Sequence, residues 1–135
     1  MLNVGEVFYC SNPGFSGSEP HNYIVIKKIP PESVAVVYIT SKVEETKKRC
    51  RRAEGIKFEH IDPTTFVPID KSICPRLKVP SAINCNHVEI DTISNYKKMY
   101  KYEHRGKLNS LDIIPQIIKA SKSSDTLVKK IKDQL

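Results

Sequence analysis

Apolar and β-branched residues fall in short runs along this chain, broken by glycine, proline and hydroxyl clusters. Val4 to Cys10 reads as a first strand, with Val7, Phe8 and Tyr9 as β-formers. The stretch Asn12 to Pro20 is a loop by composition. Tyr23 to Ile29 is a second strand, and Pro30-Pro31-Glu32-Ser33 a turn. Val34 to Ile39 is a third strand, whose near-continuous apolarity predicts burial on both sides. Phe66 to Ile69 is a short edge-like segment. Leu77 to Ser81 leads into a strand from Ala82 to Ile90. Ile93 to Tyr102 is a short helix or turn, followed by a final short strand toward Gly106.

The period then changes. Asn109 or Ser110 caps a helix through Ala120, despite Pro115. Ser124-Asp125 starts a last helix to Leu135, with Leu127, Ile131 and Leu135 on one face, expected to be core. Between the third strand and Phe66, residues 42–59 are ambiguous. A long β-hairpin with a basic tip is expected; a short helix over Glu44 to Arg51 is the rival. The total is six to seven short strands, over about 4–106, and two C-terminal helices, over about 109–135. That pattern suits a mainly β (α+β) fold, a small, partly open barrel.

Length and charge narrow the picture. The 135 residues are most simply one domain. The 22 Lys and Arg outnumber the 15 Asp and Glu, for a net charge of +7, which favours polyanionic partners. Lys47, Lys48, Arg49, Arg51 and Arg52 concentrate the charge, as phosphate contacts or as a solvated face. The four cysteines form no C-x-x-C pair, and Cys85 is expected to pack as a small apolar group. No secretory leader is recognisable, and no apolar run approaches the ~18 residues of a membrane span. A cytoplasmic protein with reduced thiols, no membrane association and no cofactor is expected.

Gly-rich phosphate loops and common hydrolase motifs are absent from the sequence. What remains is a polar rim at the strand ends: Glu19, His21, Thr40, Ser41, Asn84, Asn86 and His87. Metal-free RNA cleavage needs a base for the 2′-OH, an acid for the 5′-oxygen and a donor to the phosphorane. His21 and His87 are candidate base and acid, because an unperturbed imidazole titrates at about 6.5. Thr40 and Ser41 are candidate donors to phosphate oxygens. Equally, Asn and Ser at strand ends make ordinary turn hydrogen bonds.

Several stretches, in order, resemble the PemK/MazF family of toxin–antitoxin endoribonucleases. Val4-Gly5-Glu6-Val7 is similar to that family's first strand. Gly17-Ser18-Glu19 and His21 to Ile26 resemble its G-S-E loop and following strand. Val36-Val37-Tyr38-Ile39-Thr40-Ser41 resembles its strand ending in T-S. Phe66 to Ile69 with Leu77 to Ser81, Cys85-Asn86-His87-Val88, and Gly106-Lys107-Leu108 resemble later motifs. The resemblance implies an SH3-like barrel, a homodimer, a protein antitoxin and cleavage of single-stranded RNA. It makes His21, Thr40 and His87 the catalytic candidates. Glu19, Ser41, Asn84, Asn86 and the basic run are the RNA-binding candidates. The chain departs from the pattern where the family's Arg-Pro becomes His21-Asn22, its C-D-Q becomes Cys85-Asn86-His87, and a following Arg becomes Glu89. With that Arg gone, a charged His21 is expected to replace it at the phosphate, leaving proton transfer to His87. A noncatalytic module binding nucleic acid or protein on the same fold, and a gyrase-poison type of toxin, are the alternatives.

Overall fold

The computed structural model describes residues 2–12, 19–43 and 63–135. Within these residues six strands form one open antiparallel sheet: β1 (Glu6–Ser11), β2 (His21–Ile29), β3 (Ser33–Thr40), β4 (Phe66–Ile69), β5 (Ser81–Thr92) and β6 (Tyr100–Lys107). Their order is β4-β5-β3-β2-β1-β6. Among the described residues three short helices follow or interrupt them: α1 (Ile93–Lys97), α2 (Ile113–Ser123) and α3 (Lys129–Lys132). This is the mainly β, partly open architecture with C-terminal helices that the sequence predicts. Among the described residues no helix is long and apolar enough to cross a membrane. The basic run Lys47, Lys48, Arg49, Arg51 and Arg52, and the hairpin or helix expected around it, lie outside the described residues.

β3 is central, between β2 and β5, and every residue from Val34 to Thr40 is buried. Its apolar run therefore serves two packing layers. Ala35, Val37 and Ile39 join an aliphatic cluster with Ile24, Ile83 and Ile117. Val34, Val36 and Tyr38 join an aromatic cluster with Phe8, Tyr23 and Tyr96. β4 is the short edge strand expected, and Pro68 within it has no amide hydrogen to offer a further strand. Gly5 enters β1 at φ +90, and a Cβ there would run into the Leu111 side chain. The positive φ is what favours glycine there, since the exposed Leu111 side chain can turn aside.

The C-terminal helices depart from expectation. α2 begins at Ile113 rather than after Asn109 or Ser110. Asn109 is engaged elsewhere, its side-chain amide donating to the Ser72 carbonyl at 3.0 Å. Ser110 Oγ accepts the Asp112 amide at 3.2 Å and shapes the preceding turn. Pro115 then falls in the first helical turn, where its missing N–H costs no helix bond. The last helix is a single turn, α3, not a run from Ser124. Ser124 points inward instead, its hydroxyl donating to Asn86 Oδ1 at 2.6 Å. Leu127 and Leu135 are nevertheless buried in the aliphatic core, with Ile131 packed against it.

Candidate nucleic-acid interface

Strand pairing builds the site. Asn22 pairs with Ile39 and Cys10 with His21, so the start of β2 and the end of β3 meet at one end of the sheet. There a cleft of about 290 Å³ opens, lined by Glu19, His21, Thr40, Ser41 and Lys42. The loop between β4 and β5 adds Arg76 and Lys78; β1 and β6 add Tyr9 and Arg105. Four of the seven residues expected at the rim therefore converge: Glu19, His21, Thr40 and Ser41.

The other three do not line the cleft. Asn84 and Asn86 are buried within the sheet. Asn84 Nδ2 donates to the Tyr38 hydroxyl at 3.2 Å, and Asn86 Nδ2 to Thr65 Oγ1 at 2.8 Å. Asn86 Oδ1 also takes the Ser124 hydroxyl, and its carbonyl the Thr126 hydroxyl at 3.4 Å. Asn86 thereby fastens the C-terminal segment to β5. His87 packs on Tyr38, ring centres 6.1 Å apart, while His21 packs on the same ring at 4.9 Å. Tyr38 belongs to β3, with His21 on one neighbouring strand and His87 on the other. The two imidazoles are thus distributed around a tyrosine, and only His21 faces the cleft.

The polar geometry of the cleft is explicit. Thr40 is buried, and its Oγ1 accepts the Lys42 amide at 3.1 Å, which fixes the chain as it leaves β3. Lys42 Nζ lies 3.6 Å from Glu19 Oε1, with both groups well exposed. Such a pair contributes little to stability. Arg105 lies over the Tyr9 ring, 3.9 Å from its centre, in a cation–π arrangement. Arg105 Nε also lies 3.2 Å from Glu103 Oε1. The cleft therefore carries four cations, Lys42, Arg76, Lys78 and Arg105, against the carboxylate of Glu19, while Glu103 pairs with the arginines from beside the lining.

Sequence reasoning missed Tyr9, Lys42, Arg76, Lys78 and Arg105. Arg76 and Arg105 come from segments far from His21: the β1–β6 and β1–β2 ladders carry Arg105 toward it, and Arg76 arrives on the loop between β4 and β5. One local signal existed. Glu103, Arg105 and Lys107 alternate along β6 with the period of one strand face.

Other reactive groups are unsuited to chemistry at the cleft. Burial pushes the thiols of Cys10 and Cys85 up to about 12, so neither supplies a thiolate at neutral pH. Cys85 is fully buried in the aliphatic core, as expected of a small apolar group. Glu89, on β5, accepts from Asn12 Nδ2 at 2.7 Å. Burial holds its carboxyl above the usual range, against the opposing hydrogen bonds from Asn12 and Tyr96. No protein-family model matches this chain, and no curated protein matches it.

Proposed function

We propose that this chain is a toxin-type endoribonuclease that binds single-stranded RNA in the cleft at the β2–β3 end and cuts it there. The observation that carries the reading is the convergence of Arg76 and Arg105 with His21 and Thr40 around one cleft. Guanidiniums bind phosphodiester oxygens through paired N–H donors. A single strand suits a cleft at a sheet end, because its bases and backbone are both accessible. The order of strands and the Thr40-Ser41 pair support the resemblance to PemK/MazF toxins. A cytoplasmic location, a homodimer and a neutralising protein antitoxin are part of the same proposal.

The two arginines change the role expected of His21. The cation missing at position 21 has substitutes in the cleft, so His21 is not required as a fixed charge. His87 does not line the cleft, which leaves Glu19 and His21 as its acid–base pair. In this reading the Glu19 carboxylate takes the proton of the 2′-OH. The 2′-oxygen attacks phosphorus, and protonated His21 gives its proton to the departing 5′-oxygen. The products are a 2′,3′-cyclic phosphate and a 5′-hydroxyl. The arginines and Lys42 stabilise the phosphorane's charge.

The test is incubation of the pure protein with a long RNA in EDTA, followed by mapping of the ends. Discrete 5′-hydroxyl ends are expected, with a rate that falls as pH rises through the imidazole range. His21→Arg should abolish cutting and leave binding intact. Cutting that survives in His21→Arg removes the proton-transfer role. The second reading, an RNA-binding module without catalysis, is favoured by the ion pair that engages Glu19 with Lys42. Tight binding with no cut ends on any RNA would establish it in place of the first.

A further inference from the structure

Two guanidiniums at the cleft share one carboxylate oxygen. Arg105 Nε lies 3.2 Å and Arg76 Nη1 3.8 Å from Oε1 of Glu103. The three groups differ in freedom. The Arg105 side chain is 24% exposed and backed by the Tyr9 ring, whereas those of Arg76 and Glu103 are 57% and 55% exposed. Arg105 is a fixed cation. Glu103 is a tethered carboxylate with solvent beside it.

A carboxylate and a phosphodiester ask the same of a guanidinium: N–H donors directed at anionic oxygens. At this exposure the Glu103 pairs add little to the stability of the fold. Their effect falls on whatever anion enters the cleft. We infer that Glu103 is a displaceable occupant of a phosphodiester subsite formed by Arg105 and Arg76. In the free protein it holds the arginines together; when RNA binds, a backbone phosphate takes its place and Glu103 turns to solvent. This inference rests on the reading of the cleft as an RNA site.

The arrangement is selective for strands. A lone phosphate must compete with a carboxylate tethered at high local concentration. A strand brings neighbouring phosphates that reach Lys42 and Lys78 as well, and so displaces Glu103 where a mononucleotide does not.

The experiment uses a fluorescein-labelled, single-stranded 2′-O-methyl oligonucleotide, which keeps the phosphates and blocks cleavage. Its Kd is measured for wild type, Glu103→Gln, Arg76→Ala and the double variant, each checked for an unchanged circular-dichroism spectrum. Glu103→Gln should tighten binding on the order of fivefold, the size of one unit-charge repulsion at contact distance in water. Arg76→Ala should weaken binding, and the gain from Glu103→Gln should shrink in its presence, since the two residues act on one subsite. Unchanged or weaker binding by Glu103→Gln, with Arg76→Ala still harmful, overturns the inference and leaves the RNA reading intact. Affinity indifferent to both changes, or no binding by any form, rejects the inference and the RNA reading together.

Discussion

On one face of the sheet Ile24, Val37 and Ile83 share a core with Ile117 of α2 and the C-terminal Leu127 and Leu135. On the other, Phe8, Tyr23, Tyr38 and Tyr96 form a second core, with His21, His87, Asn84 and Glu89 at its polar margins. The first face holds groups whose only requirement is to leave water, and its packing is set by volume. The second holds rings and hydrogen-bonding groups, and its packing is set by direction. Phe8 stacks on Tyr23 at 5.4 Å with an interplanar angle of 16°, and the Tyr96 hydroxyl donates to the Glu89 carbonyl at 3.4 Å. The difference teaches where function can be accommodated. The proposed site lies where the directional face reaches the end of the sheet, and the aliphatic face with its helices supplies the rigid backing.

The sharpest way to break the comparison is to remove volume from the aliphatic face. Ile117 is fully buried, so Ile117→Ala should cost about 2–5 kcal/mol. Urea denaturation would measure it; a loss below about 1 kcal/mol would mean that α2 is not essential backing. Next comes the polar clasp. Asn86→Ala leaves Thr65 and Ser124 without the partner each now has in that side chain, at an expected cost of about 1–3 kcal/mol. Limited proteolysis should then cut first within the C-terminal segment after Ser123. Uniform loss of protection would show the clasp to be only one bond among many.

The smallest effect sharpens the comparison through pH. Burial raises the folded-state carboxyl of Glu89 above its unfolded value. Its contribution is therefore fully present below the unfolded pKa and is lost as pH rises through the raised one. Glu89→Gln keeps an acceptor for Asn12 and removes the charge. It should flatten that decline and raise neutral-pH stability by less than about 1 kcal/mol, given solvent screening at this partly exposed group. Stability curves for the two forms that run parallel through the acid range would refute it.

How much of this was legible beforehand differs by residue. The apolar run of β3 and the prolines after Ile29 carry their structure locally, and the strands follow from them. The start of α2 was misplaced because Asn109 and Ser110 look like caps. Their side chains are instead taken up by Ser72 and by the turn before Asp112. The long last helix failed for a related reason, since Ser124 satisfies a buried amide across the core rather than a helix end. His21 and Thr40 could be placed together from two adjacent strands. Arg76 and Arg105 could not: a charge in a loop leaves no periodic trace, and the alternation of Glu103, Arg105 and Lys107 marks a strand face without saying what that face will meet.

The placement of β6 bears on the timing of events in the cleft. Among the described residues this strand has β1 as its one strand neighbour in the sheet, and that pairing shifts register twice. Core strands open only near the global unfolding free energy, and strands with fewer buried contacts and more exposed backbone open at less. Arg105 and Glu103 ride on β6, whereas His21 and Thr40 ride on the inner pair β2 and β3. One wall of the cleft is thus expected to open locally more readily than the other. A strand of RNA bridging Arg105 and Thr40 would tie the looser wall to the firmer one. The amides of β6 would then exchange with solvent on the schedule of the bound ligand rather than their own.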